Sequence, residues 1–157
     1  MLTLKRKAFA YITHGQRLLV FNHPFAPEAG LQVPAGTIES GERPEGAVLR
    51  EAREETGLSG LTLAGFLGEQ IRSMVDFGIQ ETHHRYFYHL VASGEPPIAW
   101  RHAEMHPSDG TAEPIVFEFF WADLSHEFPC LIADHDRFIP ELRQRIVLES
   151  FDEYLTS

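Results

Sequence analysis

The stretch covering residues 36–58 constrains the fold of this chain more than any other. Glu51, Glu54 and Glu55 fall at positions i, i+3 and i+4, so a helix over residues 44–56 places all three carboxylates on one face. Like charges at that spacing destabilise a helix by about 0.2–0.5 kcal/mol per pair, and acids in a last turn oppose the helix dipole. Such breaks of local rules are expected at functional sites. Because Mg²⁺ and Mn²⁺ prefer oxygen ligands, the pattern predicts a site for a divalent cation and a diphosphate.

The two ends of this helix are also marked in the sequence. Pro44 suits the first helical position and Gly57 suits a left-handed cap. Residues 35–43, which contain two glycines, predict a loop that leads into the helix. One flank of the helix is apolar or small and is predicted to pack on a sheet while the acidic face lines a cleft; it consists of Val48, Leu49, Ala52 and Thr56.

The remaining elements follow from hydrophobic periodicity and from turn residues. We predict strands over residues 7–13, 17–21, 31–33, 61–75, 81–92 and 115–121. Residues 93–114, rich in Gly and Pro, predict a long loop. From Arg137 onward, apolar residues recur at helical spacing, which predicts a second helix.

Bulk properties limit the class of protein. The chain has 157 residues, of which 43% are hydrophobic, so we predict a single domain over residues 1–157. A formal net charge of -10 argues against stable nucleic-acid binding, which needs a basic surface. The single cysteine, Cys130, forms no internal disulfide. No apolar run is long enough for a bilayer and Met1 to Val20 lacks signal-peptide features, so we expect a cytoplasmic protein with no membrane contact.

The spacing of Gly36, Glu42 and the run from Arg50 to Leu58 resembles the signature box of the Nudix hydrolases, with every fixed position in register. Only Ala52 stands at a weaker aliphatic position. The resemblance implies an α/β fold, a Nudix-type α/β/α sandwich with a mixed central β-sheet. It also implies hydrolysis of the diphosphate linkage of a nucleoside diphosphate joined to another moiety.

The substrate stays open among nucleoside triphosphates, nucleotide sugars and dinucleoside polyphosphates. The proline that the resemblance would require for ADP-ribose cleavage is missing, because Met74 stands there. An alternative is a Nudix-fold sensor or interaction module that binds a nucleotide without cleaving it. Homodimers are frequent in the family, and the sequence leaves a homodimer open.

The resemblance also assigns roles within the box. Glu51, Glu54 and Glu55 are expected to ligate Mg²⁺, or Mn²⁺, together with the backbone carbonyl of Ala35. Either Glu51 or Glu54 is expected to act as general base, with Glu51 favoured.

Three further residues of the box are expected to support those ligands. Arg50 orients a neighbouring carboxylate, since its planar guanidinium forms paired hydrogen bonds. Glu42 completes that support or reaches a metal through water. Gly36 lets the backbone approach the metal.

Many family members use one further acid outside the box. The candidates here are Glu104, Asp109, Glu113 and Glu118. We favour Glu113 as a metal ligand, because it precedes the apolar strand that ends in Trp121.

Residues 82–89 combine His, Arg and Tyr on one predicted strand. Alternation places Tyr86 and Tyr88 on one face and Arg85 on the other. Stacking on a nucleobase would make Arg85, Tyr86 and Tyr88 substrate-binding residues. A half-buried strand with cross-strand aromatic pairs explains the same pattern.

Overall fold

The computed structural model of the protein describes residues 2–104 and 114–156. Within these residues, seven strands form one mixed sheet and two α-helices flank it. The strands are β1 (Thr3–His14), β2 (Arg17–Asn22), β3 (Ala35–Thr37), β4 (Leu61–Ser73), β5 (Glu81–Ala92), β6 (Ala99–Glu104) and β7 (Ile115–Asp123), and the helices are α1 (Pro44–Thr56) and α2 (Ile139–Thr156). No helix in the described part of the chain is both long and apolar enough to cross a bilayer.

The strand order is β4-β5-β1-β2-β7-β6, with β3 paired to β1. Strands β1 and β5 run parallel over their whole length, and the other pairs are antiparallel. Strands β1 and β2 pair only beside their turn, at Thr13 and His14. Beyond that point the two strands separate, and the chain that follows β2 enters the gap: Gln32 bridges to Phe21, and β3 pairs with β1. The gap thus positions β3 next to α1.

The two faces of the sheet bury different sets of side chains. On one face, small residues of β1 (Ala8 and Ala10) let α1 pack closely through Val48 and Ala52. On the other face, larger residues of the sheet pack against α2; they are Phe9, Tyr11 and Phe87, facing Ile139, Leu142 and Ile146. Because side chains alternate along a strand, β1 serves both cores. The predicted α/β/α sandwich with a mixed sheet is confirmed.

The prediction for α1 is confirmed at both ends: Pro44 is its first residue, and Gly57 has φ +76°. Two predicted loops were wrong in part. Residues 35–37 form β3 and residues 99–104 form β6. Both strands are short and lie near Gly or Pro, so their local pattern is weak, and pairing with distant strands decides them.

Candidate functional site

Strand β3 has one paired edge and one edge that faces α1. The amide of Ala10 donates to the carbonyl of Pro34, directly before β3, at 2.8 Å. Backbone groups of successive residues in an antiparallel pair point to opposite sides. The N–H and C=O groups of Ala35 and Thr37 therefore point away from β1.

Polar side chains of α1 meet those groups. The N–H of Ala35 donates to Oε2 of Glu55 at 2.8 Å, and the carbonyl of Thr37 accepts from Nη2 of Arg50 at 3.2 Å. Helix α1 thereby pairs with two backbone groups on the outer edge of β3 and fixes the box loop to the helix. The carbonyl of Ala35 lies on this same edge, next to the carboxylate face.

Arg50 is the centre of an ion-pair network. Its Nε and Nη2 atoms donate to the two carboxylate oxygens of Glu42 at 2.7 and 2.8 Å, and Nη1 donates to Glu51 at 2.8 Å and to Glu54 at 3.4 Å. The Arg50 hydrogen bonds, with the amide of Glu39, lower the pKa of Glu42 to about 2. Glu42 is thus held as an anion that anchors Arg50, and Arg50 orients Glu51.

The three carboxylates of the helix face differ in their exposure to solvent. The side chain of Glu54 is 55% exposed, that of Glu51 is 14% exposed, and Glu55 is 7% exposed. Burial raises the pKa of Glu51, and it raises the pKa of Glu55 well above its usual range, with repulsion from Glu51 adding to the effect. Two carboxylates that repel each other are therefore largely withdrawn from solvent, Glu55 more so than Glu51.

Gly36 makes room for one of them. A Cβ at this position would overlap the carboxylate group of Glu51. The expected role was close approach of the backbone to a metal; the contact that the structure shows is with the carboxylate.

Strand β6 contributes one face to the site. Trp100 packs against the core beneath α1, and His102 reaches the carbonyl of Glu54. Glu104 follows at the next position on that face, and its negative charge raises the pKa of both Glu51 and Glu55. The structure therefore brings Glu104, of the four acidic candidates outside the box, towards the carboxylates.

The other three acidic candidates are placed differently. Glu118 pairs with Arg101 at 3.0 Å. Glu113, which we favoured, and Asp109 lie outside the described residues. The strict alternation of Trp100, His102 and Glu104 was the sequence signal that could have pointed to Glu104.

The predicted substrate-binding residues do not share one surface. Arg85 is 1% exposed on the face covered by α2, where it donates to the carbonyl of Ala133 at 2.6 Å. Tyr86 stacks on His84 on the other face. Tyr88 donates to Glu45 at 3.2 Å, in the first turn of α1.

Tyr86 lies two strands from Gly36, since both residues pair with Ala8, whereas Tyr88 lies towards the opposite end of α1 from Glu55. Glu45 precedes Glu55 by about 15 Å along the helix axis at 1.5 Å per residue. The structure thus brings together Ala35, Gly36, Glu42, Arg50, Glu51, Glu54 and Glu55, and it places Arg85 on the other face of the sheet and Tyr88 beside the first turn of α1.

The chemistry of the donors suits a hard divalent cation. Among the described residues, no three acidic, His or Cys side chains are already arranged as a metal cluster. The donors at hand are nevertheless all oxygens: the carboxylates of Glu51, Glu54 and Glu55 and the carbonyl of Ala35. A cation would also offset the burial and the repulsion that raise the pKa of Glu51 and Glu55, so the residues present fit such an ion.

Comparison with known proteins decides the family. A model of the NUDIX domain matches residues 3–142. The chain belongs to the Nudix family. The resemblance of the box is thereby confirmed, and the family is that of the Nudix hydrolases.

Solved structures share its fold. A MutT NUDIX hydrolase from Burkholderia pseudomallei has a TM-score of 0.59 and 24% identity, over 88% of this chain and 98% of that one. A NUDIX hydrolase from Nitrosomonas europaea has a TM-score of 0.61 and 19% identity, over 89% of this chain and 88% of that one. A NUDIX-family hydrolase from Clostridium perfringens has a TM-score of 0.57 and 18% identity, over 92% and 97%. No curated protein is significantly similar to the chain.

Proposed function

We propose that this Nudix hydrolase is Mg²⁺-dependent and cleaves the diphosphate linkage of a nucleoside diphosphate joined to another moiety. The substrate classes proposed are nucleoside triphosphates, nucleotide sugars and dinucleoside polyphosphates. The observation that carries the proposal is the withdrawal of Glu51 and Glu55 from solvent at the edge of β3 that faces α1. Buried like charges are unfavourable unless a cation joins them.

In this proposal Glu51, Glu54 and Glu55 hold Mg²⁺, or Mn²⁺, together with the carbonyl of Ala35. The bound cation supplies charge neutralisation of the diphosphate oxygens and acidification of a water molecule. Glu51 or Glu54 takes the proton from the attacking water. Glu51 suits this role because Arg50, itself held by Glu42, fixes the orientation of its carboxylate.

Arg50 acts on the chemistry through Glu51. It donates to Glu51, while the other side of its guanidinium forms a bidentate pair with Glu42. This arrangement limits the orientations open to the Glu51 carboxylate. Loss of Arg50 would leave Glu51 free to turn away from the ion.

We further propose Glu104 as the acid outside the box. It stands on the α1-facing side of β6, and its charge acts on both Glu51 and Glu55. A fourth carboxylate at this position would complete the ligand set of a cation or hold its bound water. Glu104→Gln is expected to weaken Mg²⁺ activation, whereas Glu118→Gln, at a residue paired with Arg101, is expected to leave it unchanged.

Turnover of a substrate panel tests the main proposal. Nucleoside triphosphates, nucleotide sugars and dinucleoside polyphosphates are incubated with Mg²⁺ or with a chelator, and products are separated by chromatography. We expect metal-dependent release of a nucleoside monophosphate. Isotopically labelled water then identifies the phosphorus that is attacked.

Two matched variants of α1 complete the test. Glu54→Gln is expected to lower kcat by on the order of 10²-fold or more, since it removes part of the charge that holds the ion. Glu45→Gln makes the same change in the first turn of the same helix and is expected to retain activity. Nucleotide binding without cleavage across the panel would instead support the sensor hypothesis, and an active Glu54→Gln variant would count against the assigned site.

A further inference from the structure

Strand β6 meets the last turn of α1 through two hydrogen bonds. The indole Nε1 of Trp100 donates to the carbonyl of Thr56 at 2.9 Å, and Nε2 of His102 lies 2.9 Å from the carbonyl of Glu54. A carbonyl only accepts, so His102 carries its proton on Nε2. Both carbonyls belong to the last four of α1, which have no partner within the helix. Two side chains of a distant strand therefore cap this helix end.

The contact is close and well supported. The imidazole of His102 lies 3.0 Å from where a Cβ of Gly57 would be, so the missing side chain of Gly57 is what admits the ring. Trp100 is held in turn by stacking on Phe119, with ring centroids 5.2 Å apart and planes 19° from parallel. The last turn of α1 is thus fixed to the sheet and not only to its own helix.

The capped turn carries two of the proposed metal ligands. Glu54 and Glu55 lie on it, and the partial negative charge of a helix C-terminus opposes their carboxylates. Donors on the carbonyls of Glu54 and Thr56 offset part of that charge. Strand β6 also bears Glu104 on the same face, so a shift of β6 against the helix would separate Glu104 from the box.

We propose that His102, together with Trp100, is a positioning residue of the carboxylate site. It fixes the turn of Glu54 and Glu55 against the strand of Glu104, and so sets the geometry in which a divalent cation binds. This inference rests on the proposed function and adds a determinant outside the box. The required feature is an N–H donor at the Nε2 position, aimed at the carbonyl of Glu54.

Three substitutions on β6 isolate that feature. His102→Leu keeps a side chain of similar bulk and removes the donor. His102→Gln restores an N–H donor near the same place. Arg101→Leu is the matched control, because Arg101 projects from the opposite face of β6 and pairs with Glu118.

Steady-state kinetics across a Mg²⁺ titration measures the effect, with circular dichroism to confirm folding. We expect His102→Leu to raise the Mg²⁺ concentration needed for half-maximal activity, or to lower kcat, by roughly 10- to 100-fold. We expect His102→Gln to recover most of the loss and Arg101→Leu to match the wild type. Wild-type activity and Mg²⁺ dependence in a folded His102→Leu variant would overturn the proposal, as would equal losses in the Leu and Gln variants.

A second variant and a second readout keep the test decisive. If His102→Leu does not fold, Trp100→Phe takes its place, since it keeps an aromatic ring for Phe119 and removes the donor to Thr56. If the wild type shows no turnover, the proposed function fails on its own. Mn²⁺ binding by calorimetry then tests the positioning role: weaker binding in His102→Leu but not in Arg101→Leu supports it, and equal binding overturns it.

Discussion

Two polar clusters lie on opposite faces of the sheet, and they bury polar groups in opposite ways. On the α1 face, Glu51 and Glu55 are buried with like charges close together. On the α2 face, Tyr11, Arg85 and His135 are at least as buried as Glu55, and most of their polar atoms have partners of the complementary kind. A ligand that binds the first cluster would offset the unfavourable free energy of its carboxylates. The hydrogen bonds of the second cluster stabilise the fold itself.

The α2-face cluster ties the segment before α2 to the sheet. The hydroxyl of Tyr11 donates to the carbonyl of His135 and accepts from the amide of Phe138. The amide of Val33 donates to Nδ1 of His135 at 3.1 Å. These bonds use the neutral forms of Tyr11 and His135, and burial favours both forms because it raises the pKa of Tyr11 and lowers the pKa of His135. At the carboxylate site, burial disfavours the charged form of Glu51 and Glu55, which is the form that binds a cation.

The largest expected effect is a loss of activity without a loss of stability when Glu55 is substituted. Glu55→Gln is expected to lower kcat by on the order of 10²- to 10³-fold, because it weakens the hold on the ion. Without divalent metal, its melting temperature is expected to equal or exceed that of the wild type, since Gln still accepts from Ala35 and the repulsion with Glu51 is gone. Kinetics and thermal melts of the two proteins check this. An active variant, or one that melts well below the wild type, would break the contrast between the clusters.

A substitution at Gly36 is expected to act on the same site through space. Gly36→Ala places a methyl group where the Glu51 carboxylate lies, and displacing that carboxylate is expected to cost roughly 10- to 100-fold in activity. Gly46→Ala, inside α1 with open space around it, is the control and is expected to stabilise by about 0.5–1 kcal/mol. Equal activities in these two variants would show that the space at Gly36 does not matter.

On the α2 face, the expected effect is on stability alone. Tyr11→Phe removes a donor to His135 and an acceptor for Phe138, and is expected to lower the free energy of unfolding by about 1–3 kcal/mol. Chemical denaturation measures the change, and kcat at a temperature where both proteins are folded is expected to stay at the wild-type value. A selective loss of activity would mean that the two faces are coupled.

The last expected effect, which needs no substitution to appear, is a dependence of stability on pH. Burial, with the charge of Arg85 next, lowers the pKa of His135 to about 3, while Asp134 opposes that shift. The folded protein therefore keeps His135 neutral while the unfolded chain binds a proton below about pH 6.5. The stabilisation is complete above the unfolded pKa and is lost as the pH falls from there towards 3, at up to about 1.4 kcal/mol per pH unit.

A variant without the titrating ring isolates this term. His135→Asn keeps an acceptor for Val33 and does not titrate, so its free energy of unfolding is expected to fall less steeply below pH 6.5 than that of the wild type. His89, whose pKa burial lowers to about 4, contributes a remaining slope of the same sign. Identical slopes in the two proteins would show that His135 is protonated in the folded state.

Local features of the sequence carried the prediction of α1 and of its box. Pro44 and Gly57 act within a few residues of their own positions, so the helix bounds needed no tertiary information. The same holds for the i, i+3, i+4 arrangement of the three carboxylates. By contrast, β3 pairs with residues 7–9 and β6 with residues 115–120. Neither short strand was predicted, because its partner lies elsewhere in the chain.

The sequence by itself determined which charged groups this protein has and which helix carries them, because helix geometry follows from adjacent residues. The tertiary structure alone decided the surroundings of those groups: the burial of Glu55, the clearance that Gly36 gives to Glu51, the approach of Glu104 and the enclosure of Arg85. These depend on contacts between distant segments. A pKa depends on desolvation and on neighbouring charges. The pKa values of the carboxylates at this site are therefore set only once the sheet has brought the segments together.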